Sequence, residues 1–197
     1  PISVSGGSRL EVQGASIIAS QTATLFSNSP GSLLEVSSLE SPTVSSLLIS
    51  NISIQVSDRQ SSPVIACFGT EAVPAELLMA NVVLFRAATG GRVRAGAVLG
   101  SNCRLDLHNV TIVGFDEAAI QLVGAGSSMT AHDLNVTSGT SEGGGSALRL
   151  RRQASAALTN ASFFDLAVFS GQNGGAIHCS EGARFACDGC RFAQNGR

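Results

Sequence analysis

Short runs of alternating apolar and polar residues recur along the chain, each broken once at an equivalent place. Leu105 and Leu107 fall on one face of an extended strand, and Val110 and Ile112 do the same. Leu107 and Val110 are three positions apart, which breaks the period of two and places a corner at His108-Asn109. The same pattern surrounds Gly14, Asn51, Asn81, Asn109, Asn160 and Gly189. A seventh, irregular copy centres on Asn135, where Leu134 sits one place late and Asp133 takes an apolar slot. The anchors are 37, 30, 28, 26, 25 and 29 residues apart, in the range of stacked repeat units. Asn and Gly are the residues that tolerate the left-handed backbone a sharp corner needs.

A second short strand precedes each anchor. It reads Ile2-Ser3-Val4, Leu34-Glu35-Val36, Ile65-Ala66-Cys67, Ala97-Val98-Leu99, Ile120-Gln121-Leu122, Leu148-Arg149-Leu150 and Ile177-His178-Cys179. Four of these seven strands end ten residues before their anchor, a constancy that implies alignment from unit to unit. Helical periodicity is weak, and Ser, Thr, Val, Ile and Gly dominate. A unit of short strands that returns to its start is one coil of a solenoid, burying its apolar face only against its neighbours. The expectation is an all-β fold, a right-handed single-stranded parallel β-helix of about seven coils filling residues 1–197. A leucine-rich repeat fits less well, because Val110-Thr111-Ile112 continues the strand where that repeat turns helical. The chain opens on Pro1 and stops at Arg197, and it is read as an internal piece of a longer protein.

Composition narrows the function classes. Hydrophobic residues make up 44% and charged residues 13%, which excludes a disordered chain and a coiled coil. A net charge of -2 gives no electrostatic footprint for nucleic acid. No apolar run approaches the ~20 residues that span a bilayer. Nine Phe stand beside no Trp and no Tyr, which argues against a sugar-stacking face.

The last third contains Gly174-Gly175-Ala176-Ile177 and Phe192-Ala193-Gln194-Asn195. These resemble the GGAI and FxxN motifs of polymorphic outer membrane protein repeats and, more broadly, pectate-lyase-like proteins. The resemblance implies a parallel β-helix and, for the GGAI/FxxN proteins, a surface adhesin or passenger domain. Each motif occurs once, whereas the family repeats them many times. Similar coils occur in large surface and filament glycoproteins.

Four anchors head N-glycosylation sequons: Asn51-Ile52-Ser53, Asn109-Val110-Thr111, Asn135-Val136-Thr137 and Asn160-Ala161-Ser162. A corner Asn in a Ser/Thr-rich strand also makes sequons by accident. If the asparagines form an inward-pointing ladder, a glycan at the same residue is excluded. On that view Asn135, in the irregular unit, is the best glycan candidate.

Five cysteines are present. Cys187-Asp188-Gly189-Cys190 lacks the second pair a zinc site needs and the helix a thioredoxin motif needs. Cys67, Cys179, Cys187 and Cys190 occupy apolar slots and read as small buried hydrophobes. A disulfide among Cys179, Cys187 and Cys190 stays open, since all three fall in one coil.

Acid/base or calcium chemistry requires clustered carboxylates. The outward column of the first strand, Ser3, Glu35, Ala66, Val98, Gln121, Arg149 and His178, contains one. Asp116-Glu117 reads as a solvated loop pair, and His108, His132 and His178 lie in different coils. Gly143-Gly144-Gly145 and Gly90-Gly91 lack the Lys-Ser/Thr of a phosphate loop and read as turns. Arg149, Arg151 and Arg152 read as a solvated basic patch or an acidic-partner contact.

The sequence therefore points to a non-enzymatic extracellular or cell-surface scaffold without cofactor. Its expected partners are neighbouring coils, other subunits, or a surface protein or glycan. Loops at 19–33, 36–47 and 69–77 are the expected contact regions. The alternative is a carbohydrate-active β-helix, of lyase or hydrolase type, whose active site lies outside this segment.

Overall fold

A computed structural model describes residues 2–5, 7–14, 16–19, 33–39, 42–56, 63–86, 96–142, 144–168 and 175–195. Among them there is no helix. The first rung comprises β1 (Ile2–Val4), β2 (Arg9–Gln13) and β3 (Ser16–Ala19). The second and third are β4 (Leu34–Ser37) with β5 (Ser46–Val56), and β6 (Ile65–Phe68) with β7 (Ala75–Arg86). The fourth is β8 (Val98–Ser101) and β9 (Cys103–Val113), and the fifth is β10 (Ile120–Val123), β11 (Ser128–Thr137) and β12 (Thr140–Ser141). The sixth holds β13 (Leu148–Arg151), β14 (Ser155–Thr159), β15 (Ser162–Phe164) and β16 (Ala167–Val168). The last is β17 (Ile177–Cys179), β18 (Arg184–Asp188) and β19 (Arg191–Ala193).

All pairings are parallel and run from each rung to the next. One sheet has the order β1-β4-β6-β8-β10-β13-β17. A second stacks the strands around the corner, and β12 and β16 form a short third side. The fold is thus an all-β parallel solenoid. It amounts to about five turns, slightly fewer than the seven coils expected; the first and last rungs are stacked on one side only.

The core is a set of ladders. Leu47, Leu77, Leu105, Met129 and Ala156 stack in register, as do Ile54, Leu84, Ile112, Val136 and Phe163. All are buried. The strand alternation aims these side chains inward, and the rungs above and below remove them from water. Strands β5, β7, β9 and β11 run unbroken through the corner. The bend is one left-handed residue inside a continuing strand, not a loop between two strands.

Two register expectations need correction. In the fourth rung Leu99, not Val98, stands in the outward column, opposite Ala66 and Gln121. Val98 and Gly100 are the inward residues. A Cβ at Gly100 would sit 2.6 Å from Leu122 Cδ2, so a larger residue in that ladder slot would have to displace the Leu122 side chain. This rung therefore does not share the ten-residue spacing.

The second correction concerns the irregular fifth rung, which is regular in space. His132 pairs with His108 and Leu134 with Val110, so Asp133 stands opposite Asn109. Asn135 is not a corner residue.

Candidate functional site

The most distinctive surface is the corner edge. Gly14, Asn51, Asn81, Asn109, Asp133, Asn160 and Gly189 occupy successive rungs there, with φ of 62°, 53°, 54°, 51°, 57°, 54° and 66°. Non-glycine residues at positive φ are uncommon, and Asn and Asp are the least penalised. The asparagine side chains are exposed, not inward as the ladder reading assumed. Asn81 Nδ2 donates to Asn51 Oδ1 at 3.1 Å, and Asn109 Nδ2 donates to Asn81 Oδ1 at 2.8 Å. Each amide therefore donates toward the preceding rung. The next corner residue, Asp133, would have to donate to Asn109, and a carboxylate only accepts. That is why the ladder ends at Asn109.

Asn135 lies two residues past its corner, in register with Thr111 and Ser162 on the outer face of the second sheet. It is half-buried.

The cysteines divide in a way the apolar pattern conceals. Cys67 and Cys103 form a disulfide, with Cα atoms 5.9 Å apart, and both are fully buried. Cys67 is thus a cross-link between adjacent rungs, not the small hydrophobe expected. Gly100 stands in register with Cys67, and a Cβ there would come within 3.3 Å of Cys103 Cβ, so the glycine leaves the bridge its room. Cys187 and Cys190 form a second disulfide across the corner of the last rung, with Cα atoms 6.0 Å apart. Cys179 is the free cysteine and is exposed. The expected burial of Cys179 and Cys187 fails because no further rung covers them among the described residues. Partial burial still raises the Cys179 thiol above its usual pKa.

The candidate charged groups are structural. Arg149 is 6% exposed and belongs to no solvated patch. Its guanidinium donates to Gly144 O at 2.9 Å, Ser141 Oγ at 2.6 Å and Glu117 Oε2 at 3.2 Å. Burial lowers its pKa, partly offset by Glu117. Asp116 accepts from Arg86 at 2.6 Å and from Thr140 Oγ1 at 2.9 Å. Both carboxylates of the pair read as solvated are therefore committed to arginines. Arg152 is exposed, 3.5 Å from Glu181.

His108 and His132 stack at 5.2 Å on the outer face of β9 and β11, and His108 Nε2 lies 3.1 Å from Asp106 Oδ1. Among the described residues no cluster of His, Cys, Asp and Glu is arranged to hold a metal ion.

The GGAI and FxxN segments fall partly inside the described residues. Phe192 stacks on Phe163 at 4.9 Å. Asn195 accepts from Leu166 N–H and donates to Phe163 O, each at 3.0 Å. The FxxN asparagine thus ties the last rung to the one before it. Gly174 lies outside the described residues, as do most of 19–33 and the pair Gly90-Gly91. The expected loop at 69–77 is short, since β7 already begins at Ala75 and Thr70 Oγ1 accepts from Val73 N–H at 2.9 Å.

No protein-family model, curated protein or solved structure matches the chain.

Proposed function

We propose that the chain is a non-enzymatic scaffold of the extracellular space or cell surface, a stiff stack of coils that presents its loops for self-assembly or partner contact. The observation that carries this reading is the Cys67–Cys103 disulfide closed inside the core. Structural disulfides persist in oxidising compartments and are rare in a reducing cytosol. The commitment of Asp116 and Glu117 to arginines favours a structural over an acid/base role. The likeness of the last rung to GGAI/FxxN surface proteins belongs to the same reading.

The test is non-reducing peptide mapping of the native protein with thiols blocked at lysis, alongside labelling of intact cells by a membrane-impermeant carboxylate reagent, since the chain has no lysine. A linked Cys67–Cys103 peptide and surface labelling are expected. Reduced thiols in a protein shielded from the label would sink the reading. Sedimentation of the full-length protein then separates a self-assembling filament subunit from an adhesin that binds a foreign partner.

A further inference from the structure

The corner edge carries a second periodicity on top of the fold's own. Asn51, Asn109 and Asn160 stand on the second, fourth and sixth rungs, and each heads a sequon. The other rungs do not present a sequon at the corner. Gly14 and Gly189 have no side-chain amide, Asn81 is followed by Val82-Val83, and Asp133 is a carboxylate. We propose that Asn51, Asn109 and Asn160 carry N-linked glycans, so that sugar leaves one edge of the solenoid on every second rung. This inference rests on the extracellular reading above.

Three observations support it. The asparagines are exposed on the edge of a bend, and the hydroxyl residues Ser53, Thr111 and Ser162 lie on the outward face of the strands that follow. Next, the ladder leaves the needed hydrogens available. Asn51 enters it only as an acceptor, and Asn109 uses one hydrogen of an amide that has two.

The third observation is spacing. Adjacent strands lie about 4.8 Å apart, so alternate rungs place the amides about 9.6 Å apart. A pyranose ring with its substituents is wider than one rung step but fits within two. Asn135 would interleave a stem between those of Asn109 and Asn160, and it is half-buried in mid-strand, so it stays bare.

The modification is a group transfer from a lipid-linked diphosphate oligosaccharide. The bond from Nδ2 to the sugar C1 forms as the C1–O bond to the diphosphate breaks. The amide gives up one proton to the transferase's base, and the lipid diphosphate departs. Transfer happens on the extended chain during secretion, and the folded edge decides which stems are tolerated.

The experiment uses the full chain secreted from a eukaryotic host. Peptide-N-glycosidase in heavy-oxygen water converts each glycan-bearing Asn to labelled Asp, read by peptide mass spectrometry. Label at Asn51, Asn109 and Asn160, and none at Asn135, is expected. Label at Asn135 with Asn109 and Asn160 bare overturns the proposal. So does unlabelled secreted protein whose Cys67–Cys103 bridge has formed, an outcome that leaves the extracellular reading standing. Unlabelled protein with reduced thiols sinks both.

Thr111→Val removes one sequon without touching the corner, as Val83 does naturally, and should cost one glycan while secretion continues. Val83→Thr creates a sequon at Asn81 between two occupied rungs. Secretion, or occupancy at the flanking sites, should then fall severalfold. Unchanged secretion with all four corner asparagines occupied would refute the spacing argument.

Discussion

The fourth and seventh rungs carry the same apolar pattern and meet different fates. In the fourth, Leu107 and Ile112 are 0% exposed between β7 and β11. In the seventh, Phe192 occupies the column of Ile112 and is 51% exposed, although it stacks on Phe163. Alternation along a strand decides which way a side chain faces. Whether it is buried depends on a neighbouring rung more than twenty residues away in sequence. The disulfides repeat the contrast. Cys67–Cys103 staples two rungs inside the core, whereas Cys187–Cys190 spans one corner of the last described rung.

This comparison can be broken by measurement. Replacing Cys67 and Cys103 together by Ala should lower stability by about 4 kcal/mol, from the loop entropy of a long cross-link, against about 2 kcal/mol for Cys187 and Cys190. Chemical denaturation of the two double variants checks the ratio, and equal losses would mean the end rung is as constrained as the middle.

Leu107→Ala should cost about 3 kcal/mol and Phe192→Ala about 1 kcal/mol, because only the first empties a closed site. A further contrast lies on the corner edge. Asp133→Asn supplies the donor that Asn109 lacks and should raise stability by about 0.5 kcal/mol. A loss there would mean that the ladder's end has another cause.

The smallest effect concerns Cys179, whose pKa is raised by partial burial. The thiolate is the reactive form, so alkylation should be slow at neutral pH and reach its plateau only above the ordinary thiol range. A rate profile matching a free cysteine would show that the end rung frays enough to expose the sulfur fully.

Much of this architecture was legible in the chain. The three-residue step from Leu107 to Val110 marks the corner, and Asn and Gly name the backbone conformation there. What was misread depended on contacts between rungs. Asn135 looked like the fifth anchor because it is an asparagine, yet Leu134 must meet Val110, and that moves the corner to Asp133. Ala97-Val98-Leu99 looked like the inward-outward-inward triplet because Gly100 offers no apolar side chain to count. The Cys67–Cys103 bridge was hidden for the same reason, since its signal is the missing side chain at Gly100.

Arg149 appeared solvated because nothing local announces that Ser141 and Gly144 come within hydrogen-bond reach of it. They provide two of its acceptors, and Glu117, from the connection between β9 and β10, provides the third. The outward direction of the asparagine ladder was likewise a matter of space, and it removes the conflict between ladder and glycan that the inward reading created.

The buried bridge also bears on how the molecule responds to force. Residues 67 and 103 cannot part, so the 36-residue span between them is shielded from extension while the bond is intact. At about 3.4 Å per extended residue, the oxidised molecule would pay out roughly 120 Å less chain than the reduced one. The bridge thus sets how far the oxidised chain can extend, and a reductant would lengthen it.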